Sequence, residues 1–326
     1  MKRLPVPLVG AALALLLAAS LFFGVALGET KLDGAHLVRA LLAGPANGDP
    51  ILWLIRLPRA LLAALVGAAL ASAGTSLQGL TGNARADPFL LGAASGAAVG
   101  AGGAILLGLS GTLYLPALAF VGALGASGLT LLLSRSGGRG SAALLLAGVM
   151  CGTFLSALTN LLLALAKQDQ SRVLGWLLGW LGDAEWWQVG ALAAVTVPGV
   201  FALSRLGPGL DALSFGEETA KAVGVDTVRL GRLALVLCAL LTATAVAFSG
   251  VIGFIGLVTP HAIRALVGPP HRAAIPLAAL LGASLLTLAD LLARAALPGQ
   301  SLPLGVVTAL LGAPVFALIL RRQAGE

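Results

Sequence analysis

What most limits the fold of this 326-residue chain is a succession of apolar runs, each close to the length that crosses a bilayer. An α-helix needs about 20 predominantly apolar residues to span roughly 30 Å of hydrocarbon. Runs of that kind lie near residues 6–27, 60–80, 89–109, 113–133, 142–166, 189–205, 230–249, 272–293 and 303–320. A further apolar segment, Val251 to Val267, is short and carries Pro260-His261. It is either a broken span or a re-entrant helix. Counting it gives an all-α polytopic membrane protein of about ten helices, a single transmembrane domain over residues 1–326.

Composition agrees: 58% of residues are hydrophobic and only 10% are charged, a balance that no soluble domain of this length needs. The 44 glycines suit membrane helices, which use small residues to bring backbones together. A formal charge of +7 would suit a nucleic-acid partner if it were clustered. The basic residues sit instead at span ends, which excludes that class. Lys2 and Arg3 precede an apolar run, Leu8 to Leu27, that is too long for a secretory h-region and reads as the first membrane helix. Cys151 and Cys238 have neither metal nor pairing spacing and read as buried thiols.

With the N-terminus inside, the outer loops hold Lys31, Arg39, Arg56, Arg59, Lys167, Arg172 and Arg294, and the other thirteen of the 20 Lys and Arg are cytoplasmic. That asymmetry places both termini in the cytoplasm. It also makes Gly216 to Val225 an inside segment, a polar stretch bounded by glycines that suits a short amphipathic helix able to take a push from a soluble partner.

The polar residues elsewhere admit two readings each. Arg56 and Arg59 head a span, where they either anchor to lipid headgroups or present guanidinium forks to carboxylates of an external partner. Asn83 and Asp87, in the inside turn Gln78 to Pro88, are cap candidates. Gly92, Gly96 and Gly100 form a packing stripe. Thr159 and Asn160 must face protein or water. Trp176, Trp180, Trp186 and Trp187, with Asp183 and Glu185, mark a segment at the outer interface.

Three segments together carry a resemblance. The first is Arg56-Leu-Pro-Arg59 with Gly67, Gly74, Gln78, Asn83 to Pro88, Leu91-Gly92 and Ser95-Gly96-Ala97. The second is Gly216 to Gly224. The third runs from Ser249 through Thr259-Pro260-His261 to Arg264, His271-Arg272, Asp290, Arg294, Leu302 to Gly305 and Gly312 to Phe316. The chain resembles the iron-chelate, haem and vitamin B12 permeases of the type II ATP-binding-cassette importers. One departure stands out: the family's inner turn reads Asn-Pro-Leu-Ala before its proline, and this chain has Asn83-Ala-Arg-Ala-Asp-Pro88.

The resemblance implies a non-catalytic subunit of a homodimer in the cytoplasmic (inner) membrane. Two ATP-binding-cassette ATPase subunits lie below it and an extracytoplasmic substrate-binding protein above. It implies ATPase coupling through Gly216, Glu217, Glu218, Ala220, Val223 and Gly224, in a coupling-helix pair within about residues 211–226. It implies docking through Arg56, Arg59 and Arg294, and a path and gate at Asn83, Ser141, Thr159 and Asn160. No cofactor or metal is expected on this chain; ATP and Mg belong to the ATPase, since no Gly-Lys pair of a phosphate-binding loop occurs here. An iron(III)-siderophore is the first expected cargo, with cobalamin or haem as alternatives. A gradient-driven transporter is the competing class; Asp290 is its candidate carboxylate, although an i,i+4 pair with Arg294 accounts for that residue. An intramembrane enzyme lacks any nucleophile and base constellation.

Overall fold

The computed structural model describes residues 3–27, 39–40, 42–109, 111–136, 141–182, 184–297 and 300–324. Residues 28–38 and 41 of the polar connection after the first span, together with Lys2, Arg139 and Asp183, lie outside them. The long elements are all helices: α1 Val6–Ala26, α2 Leu57–Thr81, α3 Ala93–Leu106, α4 Tyr114–Ser136, α5 Ser141–Leu165, α6 Gln170–Leu177, α7 Trp186–Leu213, α8 Glu217–Ala222, α9 Thr227–Ser249, α10 Ile255–Val267, α11 His271–Ala295 and α12 Leu304–Ala324. Among the described residues seven helices are long and apolar enough to span a membrane; α3, α10 and α12 contribute shorter apolar stretches.

Small residues decide the packing. The span that contains α2 is 83% buried and runs through the middle of the bundle, whereas those of α1, α4, α5 and α7 are 22–28% buried and turn outward. Its principal neighbour is α11. The two backbones meet at Gly67 and Gly282, so closely that a Cβ on Gly67 would lie 2.2 Å from the Gly282 carbonyl oxygen. The expected glycine stripe does the same for α3: a Cβ on Gly96 would lie 2.2 Å from the Gly122 oxygen of α4. Gly92, by contrast, takes φ 75° and caps α3.

Pro260 behaves differently from expectation. A proline in a short apolar segment predicts a break there, yet α10 continues through it, and the chain turns earlier, at Gly250 (φ 68°) and Phe254 (φ 70°). A proline inside a helix deprives the carbonyl four residues back of its donor, which here is that of Gly256. This oxygen lies against the bare backbone of Gly74 on α2, where a Cβ would come within 2.0 Å.

Helix α7 also exceeds its expected span of 189–205. A reciprocal cap between Glu185 and Gln188 starts it, and it passes Pro198 and Pro208 to end at Leu213. The segment 211–226 thus holds the last turn of α7 and one short helix, α8, where a pair was expected.

Buried hydroxyls bond within their own helices. Ser72, Thr75 and Ser76 on α2, Thr242 and Thr244 on α9, Thr259 on α10, and Ser284 and Thr287 on α11 each donate to the carbonyl four residues back, at 2.7–2.9 Å. Such bonds satisfy the hydroxyl without tying one helix to another.

Candidate functional site

A π-turn, Leu52–Arg56, leads into α2. Pro58 has no N–H to offer, and the Leu57 N–H reaches back to Leu52. The wider turn points Arg56 inward. Its guanidinium donates to the Val25 and Ala26 carbonyls at the end of α1, at 2.9 and 3.2 Å. Arg59 lies one turn further along α2, stacks over Trp180 at 5.8 Å and binds both oxygens of Asp290 at 2.9–3.2 Å. Arg294 grips the same carboxylate at 3.0 Å and the Leu27 and Gly24 carbonyls at 3.1 and 2.8 Å. The three arginines expected at separate positions thus converge on one buried aspartate and on the C-terminal carbonyls of α1, where cations are favoured. Among the described residues, Asp290 lies between two of the three guanidiniums, and Asp49 lies close enough to Arg56 to act on it electrostatically. Arg59 and Arg294 keep 14% and 16% of their side chains exposed.

At the other end of α11, the His271 backbone N–H and its Nδ1 both lie on Oδ1 of Asp211, at 2.9 and 2.7 Å. Asp211 belongs to the last turn of α7, and the chain then turns through Gly216 (φ 106°) into α8. Ala220 is the buried anchor of α8, while Glu217 and Glu218 sit on its exposed first turn. Glu217 pairs with Lys221 at 2.7 Å, and Gly224 (φ 86°) closes the segment. Phe215 and Val223 leave apolar side chains exposed on both flanks.

Between these ends runs a groove of about 730 Å³. One wall is the turn Asp87 to Leu90, and the other is a face of α5 carrying Gly148, Gly152, Ser156 and Asn160 at four-residue spacing. Thr159 lines a smaller adjoining cavity of about 260 Å³ with Ser95, Ser156 and Asn160, and its hydroxyl donates to Leu155. Asn83 does not line the groove: its side-chain oxygen accepts the Arg85 N–H at 2.9 Å within its own turn. Ser141 opens α5, with its side chain outside the described residues. Asp87 caps the following 3-10 turn by accepting the Phe89 N–H at 2.8 Å, and burial raises its carboxyl to about 6.

Gln78, a motif residue to which the sequence assigned no role, and three residues of α5 that it did not single out also contribute. Gln78 accepts a hydrogen bond from Arg264 of α10 and donates to the Ala86 carbonyl at 3.2 Å, pinning the inner turn to two helices. Gly148, Gly152 and Ser156 form the groove wall with Asn160, and their four-residue repeat was the signal that could have found them.

A helical membrane bundle with a groove along one helix and charged surfaces at its two ends is built as a transport permease. Among permeases, the chain belongs to the FecCD transport family, whose model matches residues 15–322, and so to the type II ATP-binding-cassette importers of iron-chelate, haem and vitamin B12 type. It is 41% identical over 322 residues to the uncharacterized ABC transporter permease protein YvrB of Bacillus subtilis, covering 94% of this chain and 91% of that one. The hemin transport system permease protein HmuU of Yersinia pestis is 39% identical over 312 residues, 92% of each chain. A solved structure described as an inward-facing conformation of a metal-chelate type ABC transporter superposes with a TM-score of 0.88 at 30% identity, over 97% of this chain and 99% of that one.

Proposed function

We propose that this chain is the membrane-spanning subunit that forms the translocation path for a metal chelate, an iron(III)-siderophore first, in an importer driven by separate ATPase subunits. Two copies form the path, with both termini cytoplasmic. An extracytoplasmic binding protein docks on the end that exposes part of Arg59 and Arg294, with the buried Arg56 bracing α1 beneath it, and the ATPases grip α8. The observation that carries this reading is α11. It begins on the aspartate that leads into α8 and ends in the arginine cluster, about 37 Å away at 1.5 Å per residue. Two partner surfaces on opposite sides of a membrane are what an importer with an outside receptor and an inside motor requires.

The α5 groove supplies the route. Its lining of glycines, Thr153, Ser156 and Asn160 is weakly polar and suits passage rather than capture. Relatives named for hemin, Fe(3+) dicitrate and vitamin B12 transport support a bulky chelate as the cargo. The gradient-driven alternative would use Asp290 as its ion site, but that carboxylate is held by two guanidiniums.

The test is reconstitution in proteoliposomes with a cognate ATPase and binding protein, using radio-iron-labelled ferric siderophore, hemin and cobalamin as separate cargoes. ATP-dependent siderophore uptake is expected. Uptake of hemin or cobalamin alone would reassign the cargo, and gradient-driven uptake without any ATPase would defeat the class.

A further inference from the structure

The outer arginine cluster and the α8 segment are joined by one continuous helix, α11, and the joint at its inner end centres on Asp211. Along its length α11 touches α2 backbone to backbone at Gly67 and Gly282. At its outer end the ion pair between Asp290 and Arg59 fastens the same two helices. Helices α2 and α11 therefore move as one body: sliding one along the other would drive a carbonyl into a backbone and break a buried ion pair.

The inner end has a different construction. The Asp211 carboxylate caps the first N–H of α11 and also holds the His271 ring, which is only 7% exposed. The ring packs on α2, where a Cβ on Gly79 would lie 2.3 Å from its Nε2. Four residues before Asp211, Gly207 brings the α7 backbone against Arg272; a Cβ there would lie 2.5 Å from the Arg272 nitrogen. Just after Asp211, α7 ends and the chain turns into α8. A displacement of α8 reaches the α2–α11 body through this junction.

We propose that Asp211 is a positioning residue: its bond to His271 makes the α2–α11 pair the relay through which the α8 segment and the outer arginine surface sense each other. This rests on the importer reading, which assigns partners to the two ends. Coupling between two binding surfaces is reciprocal, so if nucleotide on the ATPase alters the affinity for the binding protein, the relay carries that effect in both directions. Asp211 lies at the far end of α11 from the docking surface. A loss confined to the response to nucleotide, with docking itself intact, marks a relay rather than a general loss of structure.

The experiment uses the assembled complex in nanodiscs. Binding-protein Kd is measured without nucleotide and with a non-hydrolysable ATP analogue plus Mg. In the parent complex Kd shifts with nucleotide. Asp211→Ala is expected to shrink that shift at least threefold while the nucleotide-free Kd stays within twofold. Asp211→Asn, which keeps an oxygen facing the His271 N–H, is expected to restore it. If Asp211→Ala does not assemble, His271→Ala replaces it; this variant keeps the backbone bond and should lose part of the shift. A full nucleotide shift in Asp211→Ala or, failing that, in His271→Ala overturns the relay, and so does a parent complex whose Kd ignores nucleotide. A chain that assembles with no ATPase overturns the importer reading instead.

Discussion

Arg59 and Asp290, 231 residues apart in the chain, meet in a two-pronged ion pair in which the aspartate side chain is 1% exposed. Arg294, one turn above Asp290, completes the site from the same helix. Removing the carboxylate strands two guanidiniums in a poorly hydrated place. Asp290→Ala is expected to cost about 3–5 kcal/mol, as breaking a buried pair from one side does. Thermal unfolding in detergent measures it, and an unchanged melting temperature would show that water already compensates the arginines.

Glycine contacts divide into two kinds. Gly67→Ala drives a methyl into the Gly282 carbonyl and should destabilise by about 1–3 kcal/mol. Gly125→Ala on α4 meets nothing within 4 Å and should be neutral or stabilising by up to about 1 kcal/mol. Equal effects in the same unfolding assay would contradict the packing described.

The turn that holds Asp87 should make stability depend on pH. Burial raises its carboxyl from 3.8 to about 6, so the folded state favours the protonated form. The resulting stabilisation is complete below the unfolded value and is lost as pH rises through about 6. Asp87→Asn keeps an oxygen for the Phe89 N–H but cannot ionise. The melting temperature of the unaltered chain, relative to this variant, is expected to fall between about pH 4 and pH 7. Parallel profiles would refute the shift.

Ala220→Pro removes the bond from the Ala220 N–H to the Gly216 carbonyl and places a ring at the buried anchor of α8. Reconstituted complexes should keep hydrolysing ATP while uptake falls at least tenfold. Glu217→Ala loses the exposed pair with Lys221 and the bond from Thr227 while leaving the helix backbone intact, and should lower uptake less than the proline variant does. Normal uptake by the proline variant would separate α8 from coupling.

Run length and apolarity sufficed to read the membrane helices, because hydrocarbon leaves the backbone few alternatives. The pair between Asp290 and Arg294 was legible for the same reason of regularity, since four residues make one helical turn. Its third member was not. Arg59 reaches Asp290 only once α2 and α11 are packed, and the glycines that let them pack look like any others in a chain with 44. Arg56 read as a surface residue because the π-turn that rotates it inward has no one-letter signature apart from Pro58. The bond between Asp211 and His271 was hidden for a further reason: the apolar run stops near residue 205, whereas α7 continues through Pro208 and its last turn carries the aspartate. Pro260 misled in the same sense: α10 runs on through it, and the Gly256 carbonyl that it leaves without a donor is accommodated by Gly74.

The inward-turned hydroxyls of the bundle leave its middle almost free of crosslinks. Among the described residues Ser127, Thr130 and Thr196 have no hydrogen-bond partner, and the weak contacts of Cys238 with Ala73 and of Ser95 with Ser156 are the mid-bundle exceptions. Polar fastenings gather instead at the rims, in Arg59 with Asp290, Gln78 with Arg264 and Asp211 with His271. Outside the α2–α11 pair, which its glycine contact and buried ion pair lock together, a bundle built that way resembles a sliding bearing clamped at its lips, with few side-chain bonds to break when its inner surfaces shear. The energy that governs such movement resides in a few exchangeable clasps where soluble proteins can reach them.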